Sequence, residues 1–240
     1  MTMNNPPSID PADYGTFVGA FNLIMRKQLM KTDDMLPAEV IAYDRTTNRA
    51  QVQPLIQAVT TNGSLLVRAQ VMSVPVFQMA GGGMMVSFNL VTGDLGWIKA
   101  NDRDISLFKQ VYALQPPNTK RLHSFEDAMF FPDVMTGYTI ASEDAANAVL
   151  QTKDGTVCIA IWPSQIKQCA PNSCVTDTKS YTPNVNCVLD VQSTTRAFKP
   201  PSMTGAQRDA IPSPEGGFMV WVTDSSPPHL SVYTPGIGWS

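Results

Sequence analysis

The sequence is poor in charge, and its positive charge is dispersed. Lys, Arg, Asp and Glu make up 15% of the 240 residues, whereas soluble domains usually contain about 25%. The longest basic runs are the pairs Arg26-Lys27 and Lys120-Arg121, and the net charge is −3. A surface that binds duplex DNA needs a basic stripe to displace counterions. The composition therefore argues against nucleic acid as a partner.

Long apolar runs and a targeting segment are also lacking. No apolar run approaches the roughly 20 residues that a membrane-spanning helix needs. The first residues, MTMNNPPSIDP, contain neither a basic nor an apolar region, so we expect no secretory signal. Hydrophobic residues nevertheless make up 43% of the chain, which is enough to bury a core. Uncharged polar residues and proline are typical of extracellular β structure, although a proline-rich loop protein would look similar.

Motifs for catalysis are missing as well. The sequence contains no G-x-S-x-G, no H-E-x-x-H and no phosphate-binding loop. Asp102 and Asp104 lie on one side of a predicted strand, but Arg103 between them indicates solvated or structural acids rather than a glycosidase pair. Cys158 and His123 lie outside any activating motif. We therefore expect no catalytic residue and no enzymatic activity.

All four cysteines lie in one short part of the chain, and they are candidate disulfide cysteines: Cys158, Cys169, Cys174 and Cys187. Two disulfides would stabilise a thin, loop-rich region, and three pairings are possible. A zinc site normally has ligand pairs spaced as C-x2-C, which this segment lacks, and no histidine is near. Buried free thiols are the third alternative. We predict no metal ligand and no cofactor here.

The N-terminal segment has the pattern of an amphipathic helix. Asp10-Pro11 and Asp13 form an N-terminal capping signal. Apolar residues then recur at steps of three and four until about Met30: Tyr14, Phe17, Val18, Phe21, Ile24 and Met25. The pattern fits both an ordinary core helix and a helix that docks on a partner.

Alternating runs from Leu36 to Phe108 predict a small β-barrel of the OB type. The runs are EVIAYD, AQVQPLIQAV, SLLVRAQVMSVPVF, GMMVSFNL, DLGWIKA and DISLF. Residues 44–48 and Thr61-Asn62-Gly63 predict hairpin turns between the first three runs. Five barrel aromatics offer surfaces for stacking on bases, but without a basic groove they are better explained as barrel core and subunit contacts: Tyr43, Phe77, Phe88, Trp97 and Phe108.

The C-terminal half predicts extended strands. A linker with one short turn, capped by Ser124 and Asp127, precedes two strands around Lys153-Asp154-Gly155. The remaining polar strands are poorly able to form a core alone, and winding around identical copies would supply one. Thr204 and Gln207 form a capping box for a short helix, followed by the strands GFMVWVTD and HLSVYT.

These patterns predict a mainly β chain with an N-terminal helix, an OB-like barrel, extended and intertwined β structure, and a small terminal knob. The predicted divisions are an N-terminal helical segment (1–35), the barrel (36–115), a linker (116–148), a segment of intertwined β structure (149–198) and a C-terminal tip or knob (199–240).

The barrel region resembles the N-terminal domain of phage contractile-tail central spike proteins, which pierce membranes with a β-helical needle. The resemblance covers roughly residues 30 to 135. Its most specific motif is Gly93-Asp94-Leu95-Gly96-Trp97 followed by Asp102-Arg103-Asp104-Ile105. The other matching residues are 36–40 with Tyr43-Asp44, 52–55, 74–76, the glycines at 81–83, Arg121, His123 and Asp127.

A second, independent resemblance lies at the C-terminal end. Residues 203–217, with the segment QRDAI, and then Leu230, Tyr233 and Trp239 resemble the ends of phage tail-fibre proteins. Many spike proteins end in a His-x-His pair that holds an iron ion on the three-fold axis. This chain lacks that pair, and although three copies of His229 could meet on an axis, an ordinary turn histidine is the simpler interpretation.

The resemblances imply a homotrimeric central spike at the baseplate tip of a virion tail, in which residues 149–198 form a trimeric β spike of the β-helical needle type. Its partners would be itself, the tail hub and baseplate proteins and, transiently, the host outer envelope. A baseplate or tail-fibre adaptor is the first alternative, and a tail-associated cell-wall hydrolase is a weaker one.

Overall fold

The computed structural model describes residues 15–30, 32–60 and 63–240. The chain divides into two compact units, Met1–Thr139 and Ile140–Ser240. The helices are α1 (Phe17–Met30), α2 (Phe108–Val111) and α3 (Gly205–Asp209), and no helix within the described ranges is both long and apolar enough to cross a membrane. The strands of the first unit are β1 (Met35–Asp44), β2 (Arg49–Pro54), β3 (Ala58–Val59), β4 (Leu65–Leu66), β5 (Val71–Pro75), β6 (Met79–Gly81), β7 (Met84–Val86), β8 (Leu95–Asn101) and β9 (Ser124–Pro132).

Five strands of the first unit form a nearly closed barrel. Their order is β5-β2-β1-β8-β9, with antiparallel neighbours throughout. A parallel bridge between Val76 and Phe130 joins the two outer strands. Next to this bridge, the amide of Phe77 donates a hydrogen bond of 2.8 Å to the carbonyl of Phe130. The prediction of a mainly β chain with a small barrel and an N-terminal helix is confirmed.

The barrel core consists of side chains that alternate along its strands. Successive side chains of a strand point to opposite faces, and in β2 every second residue is buried. Val40, Val52, Ile98 and Phe130 are fully buried at the centre of the core. The period-two pattern in the sequence therefore corresponds to alternating burial along β2 and β8.

The strand β9 differs from the sequence-based expectation. Residues 116–148 were assigned to a linker, and Ser124 and Asp127 to a short capped turn, but β9 pairs with β8 along the barrel. The turn prediction was wrong, since residues 124–127 belong to a strand. The strand was not recognised because it buries a carboxylate. Its inward positions include Asp127 beside Phe125 and Phe130, so its pattern does not read as apolar alternation.

The predicted strand DISLF is also absent, because the residues from Asp104 to Phe108 form a turn that leads into α2. The amide of Ser106 donates to the carboxylate of Asp104, an Asx-type turn that competes with strand pairing.

The turn between β1 and β2 confirms the hairpin predicted at residues 44–48. The Asp44 carboxylate accepts hydrogen bonds from the Thr46 amide, the Thr46 hydroxyl and the Thr47 hydroxyl. These hydrogen bonds lower the pKa of Asp44 to about 2. The turn predicted at Thr61-Asn62-Gly63 falls mainly on residues 61 and 62, which lie outside the described residues.

Helix α1 ends at Met30, as predicted, and the capping signal predicted at residues 10–13 lies outside the described residues. None of its described residues is buried. Phe17, Val18, Phe21, Ile24 and Leu29 are each more than half exposed. The apolar stripe is therefore not part of a core formed by the described chain.

The second unit contains small sheets in succession. Its strands are β10 (Ala148–Gln151), β11 (Cys158–Ile161), β12 (Ile166–Cys169), β13 (Ser173–Thr176), β14 (Leu189–Gln192), β15 (Ser202–Met203), β16 (Met219–Val222), β17 (His229–Thr234) and β18 (Gly238–Trp239). They form the sheets β10-β11-β12, β13-β14 and β15-β16-β17-β18. The strands predicted around 153–155 and across residues 225–228 are confirmed. The capping box of Thr204 and Gln207 at the start of α3 is confirmed too.

Candidate functional site

Residues 93–97 form the turn that leads into β8 and the first part of that strand. They carry the most specific motif of the barrel resemblance. Gly93 has a φ of +94°, in the left-handed region that favours glycine. The carboxylate of Asp94 accepts a hydrogen bond of 2.9 Å from the amide of Val91. The indole Nε1 of Trp97 donates to Asp133 Oδ2 at 2.8 Å. The motif therefore fixes a turn and joins β8 to the segment after β9.

Gly96 allows β9 to approach β8 closely. A Cβ atom at this position would lie 2.3 Å from the carbonyl oxygen of Phe131 and 2.5 Å from Cζ of Phe130. Both separations are far below van der Waals contact, and one of them involves backbone. Only glycine lets β8 and β9 pack at this distance around the Phe130 ring.

Replacing Gly96 with alanine is expected to destabilise the barrel by about 2 kcal/mol or more, because overpacking forces backbone and core side chains to shift. Chemical denaturation followed by tryptophan fluorescence measures the change. Gly81→Ala is the matched control, since a Cβ at Gly81 meets nothing within 4 Å. Equal unfolding midpoints for the two variants would contradict this account of Gly96.

Arg121 neutralises two buried carboxylates beside the barrel. Its Nε donates to Asp127 Oδ2 at 2.7 Å, and its Nη2 lies 3.4 Å from Asp104 Oδ2. Nη1 also pairs with Glu126 at the surface. The hydroxyl of Thr119 donates to Asp104 Oδ2 at 2.6 Å. Asp104, Arg121 and Asp127 are among the residues that carry the barrel resemblance, and all three belong to this one ion-pair network.

Hydrogen bonds keep Asp104 ionised in this network. Those from Ser106 and Thr119 hold the pKa of Asp104 well below its usual range, with a smaller contribution from the charge of Arg121. An acid with a lowered pKa is a poor proton donor at neutral pH. The arrangement fits a structural role for Asp104, which is one of the interpretations that its sequence context offered.

The other polar candidates of the first unit lie near the surface. Asp102 Oδ1 is 3.1 Å from Nε2 of His123, and both side chains are exposed. Arg103 makes only a long contact of 3.9 Å with Asp102. Cys158 belongs to the second unit. The structure therefore pairs Asp102 with His123 and places Asp104 in the Arg121 network.

The five barrel aromatics lie at the periphery of the core. Tyr43 packs against the core while remaining partly exposed. Phe77 stacks on Phe131 with ring centroids 5.2 Å apart and is still 45% exposed. Phe88 and Phe108 are exposed as well. The aromatic rings at the centre are Phe125 and Phe130 of β9, which the sequence analysis missed because it assigned that segment to a linker.

The sheet β10-β11-β12 has apolar side chains on both faces. Cys158 and Ala160 of β11 are buried on one face, whereas Ile159 and Ile161 alternate with them on the other. Cross-strand pairing places Leu150 opposite Ile159 and Ile161 opposite Ile166. We name the exposed face, defined by Leu150, Ile159, Ile161 and Ile166, the outer apolar face. Its four side chains are between 43% and 75% exposed.

The two following sheets repeat this arrangement. In β13-β14, Val175 and Val191 are ladder partners and both are exposed. In the last sheet, Val220 and Ser231 form a buried pair. The neighbouring pair, Trp221 and Leu230, is exposed. Isolated exposed apolar residues are ordinary, but contiguous apolar faces on successive sheets indicate a protein interaction surface.

The four candidate disulfide cysteines are present as free thiols. Cys158 and Cys169 face each other in the β11-β12 ladder, whereas Cys174 faces Asp190 and Cys187 precedes β14. His229 begins β17, and its Nδ1 lies 3.0 Å from the hydroxyl of Ser225. Among the described residues, no group of three or more His, Cys, Asp or Glu side chains has a geometry that could hold a metal ion.

Comparison with family models gives two matches. Residues 36–133 match the phage protein Gp138 N-terminal domain, and this range includes the barrel sheet except for Met35, the first residue of β1. Residues 177–240 match a phage tail-like trimerisation region, which includes β14 and the last sheet. A search of curated proteins finds no match.

The two matches identify a phage tail protein of the spike or baseplate type, as the two sequence resemblances predicted. Its role is structural in the tail, and the trimerisation region indicates a homotrimer. Such tail families favour a non-enzymatic protein located in the virion tail.

Proposed function

We propose that the chain is the homotrimeric central spike at the baseplate tip of a contractile tail, where it pierces the host outer envelope. The outer apolar face is the observation that carries this proposal. A three-stranded sheet with apolar residues on both faces needs a cover on each side. The trimerisation region that follows in the chain brings two identical copies close enough to supply the missing cover.

In this assembly the polar, strand-rich segment 149–198 forms the shaft, and residues 199–240 form the tip. Three chains that pack their outer apolar faces around one axis make a stiff rod whose sheets do not depend on a single thin core. The barrel order also supports an OB-type domain, because the first three barrel strands pair in succession and the last strand returns beside the third. Piercing breaks no covalent bond, so the proposal requires neither a catalytic residue nor a cofactor.

Helix α1 and the barrel dock the spike to the tail hub in this proposal. The exposed stripe of α1 supplies an apolar surface of the kind that helix-in-groove recognition uses. The hairpin of β6 and β7 adds a second exposed apolar surface that contains Met79, Met84 and Met85. Flexible methionine side chains adapt to irregular partner surfaces.

Electron microscopy of the isolated protein and of labelled virions tests the proposed role. We expect a thin tapering rod with one blunt end, and antibody label at the distal end of the tail. A knob displayed at the side of the baseplate would instead identify an adaptor. Turnover of purified cell wall by the isolated protein would identify a hydrolase.

Phe21→Glu is expected to prevent incorporation into tails without changing the trimer. Burial of a phenylalanine side chain contributes about 2 kcal/mol, and a carboxylate in an apolar groove adds a desolvation penalty. Complementation of a phage that lacks the gene, followed by immunoblotting of purified particles, measures incorporation. Lys27→Glu introduces the same residue away from the apolar stripe and should incorporate normally. Normal incorporation of the Phe21 variant would contradict docking through α1.

A further inference from the structure

Two of the four cysteines face each other on adjacent strands. Cys158 on β11 and Cys169 on β12 are direct ladder partners in an antiparallel pair. Directly opposed residues have Cα atoms about 4.5 to 5.5 Å apart and side chains on the same face. Disulfides usually span Cα separations of about 4.4 to 6.8 Å. The backbone therefore already has the spacing that a disulfide requires.

The Cys158 thiol also interacts with the thiol that faces it. Burial raises the pKa of the Cys158 thiol, and a hydrogen bond with the thiol of Cys169 raises it further. Cys158 is almost fully buried, whereas Cys169 is only partly buried. A dissolved oxidant would thus meet Cys169 first, and Cys158 would be the second thiol to react.

The remaining two cysteines do not have this relationship. Cys174 is opposite Asp190 in the parallel ladder of β13 and β14. Cys187 lies in the turn before β14, where its amide donates to the carbonyl of Asn184. Neither residue is a ladder partner of another cysteine. The sequence allowed three disulfide pairings. In the two that join Cys158 to Cys174 or to Cys187, no two bonded cysteines face each other across a ladder, so the pairing that joins Cys158 to Cys169 is favoured.

We infer that Cys158 and Cys169 form a cross-strand disulfide when the protein leaves the reducing cytosol at host lysis. The oxidant is a low-molecular-weight disulfide such as oxidised glutathione. The Cys169 thiolate attacks it and releases one reduced glutathione, and the Cys158 thiolate then displaces the second. Two protein thiols thus become one disulfide while one glutathione disulfide becomes two thiols. Cytosolic thiols stay reduced, which places the step after assembly.

The disulfide would cross-link the β11-β12 hairpin, which carries most of the outer apolar face. Ile159, Ile161 and Ile166 lie between the two cysteines in the chain, and they point away from the face on which the thiols meet. The cross-link therefore holds the two strands in register without occupying the outer surface. It does not depend on the number of copies in the assembly, so the inference stands apart from the proposed spike function.

Peptide mapping after oxidation tests the pairing. The full-length protein, purified under reducing conditions, is incubated folded with oxidised glutathione, alkylated and digested with trypsin. Cleavage after Lys153, Lys167 and Lys179 separates Cys158 from a peptide that contains both Cys169 and Cys174. We expect these two peptides to be joined, with the intact chain lighter by two hydrogen atoms for this bond.

Single variants assign the bond to one cysteine. Cys174→Ser and Cys187→Ser should keep the cross-link, and Cys169→Ser and Cys158→Ala should lose it completely. Circular dichroism establishes that each variant is folded, and oxidation in denaturant gives the statistical pairing for comparison. Retention of the cross-link in Cys169→Ser, a link to Cys187, or a stable glutathione adduct on Cys169 in the unmodified sequence would each overturn the inference.

Discussion

Replacing Ile159 with aspartate is expected to weaken the trimer strongly and to release folded monomer. Ile159 lies at the centre of the outer apolar face, opposite Leu150 on one side and Gln168 on the other. If three copies cover this face, each chain of the variant must bury a carboxylate against apolar side chains, which costs several kcal/mol per chain. Within one chain the residue is exposed, so the fold of the monomer should survive.

Size-exclusion chromatography with light scattering measures this change, and circular dichroism establishes that the variant is folded. Ser164→Asp is the matched control, because it places the same charge in the exposed hairpin turn between β11 and β12, outside the outer apolar face. The control should remain trimeric. If the Ile159→Asp protein stays trimeric on dilution to the same concentration as the Ser164→Asp control, copies of this chain do not cover this face.

Replacing Arg121 with alanine is expected to destabilise the barrel by about 3 kcal/mol, because breaking a buried ion pair leaves an uncompensated buried carboxylate. The Asp127 side chain is only 2% exposed and has two hydrogen bonds from Arg121. The Arg121 side chain is itself about one third exposed, so solvent screening places the value at the lower end of the range for buried pairs. Urea denaturation of the purified protein measures it.

Arg103→Ala is the control for this experiment. Arg103 is exposed and its contact with Asp102 is 3.9 Å long, so its removal should change stability by less than about 0.5 kcal/mol. Adding Asp127→Asn to Arg121→Ala should restore part of the lost stability by removing the unpaired charge. If the two arginine variants unfold at the same urea concentration, the network does not stabilise the barrel as described.

The parts of the fold that could be predicted are those in which apolar alternation and turn residues agree. In β2 the inward apolar positions are separated by polar ones, and in β8 buried positions alternate with more exposed ones. The turn after β1 has the Asp and Thr residues that close it. β9 could not be recognised in this way, because its inward positions include Asp127. The carboxylate is tolerated there through Arg121, a contact that becomes visible only when the chain has folded.

The two candidate interaction surfaces, the apolar stripe of α1 and the outer apolar face, were less predictable than the barrel strands. Periodicity identified the apolar stripe of α1, but its interpretation as core or docking surface required knowing that nothing in the described chain covers it. The outer apolar face was anticipated only as a general shortage of core. Its four residues come together through cross-strand register, which depends on the length of the turns around β11 and cannot be read from composition.

The bridge between Val76 and Phe130 also has a consequence for biosynthesis. The final barrel strand, β9, follows β8 only after a long connection. The barrel therefore cannot close until residue 132 has left the ribosome. Until then the nascent chain exposes the apolar sides of β1, β2 and β8, and contacts between such distant segments form slowly. We therefore expect newly made chains to expose this apolar surface until the barrel closes, and the segment that matches a phage tail-like trimerisation region to emerge only afterwards.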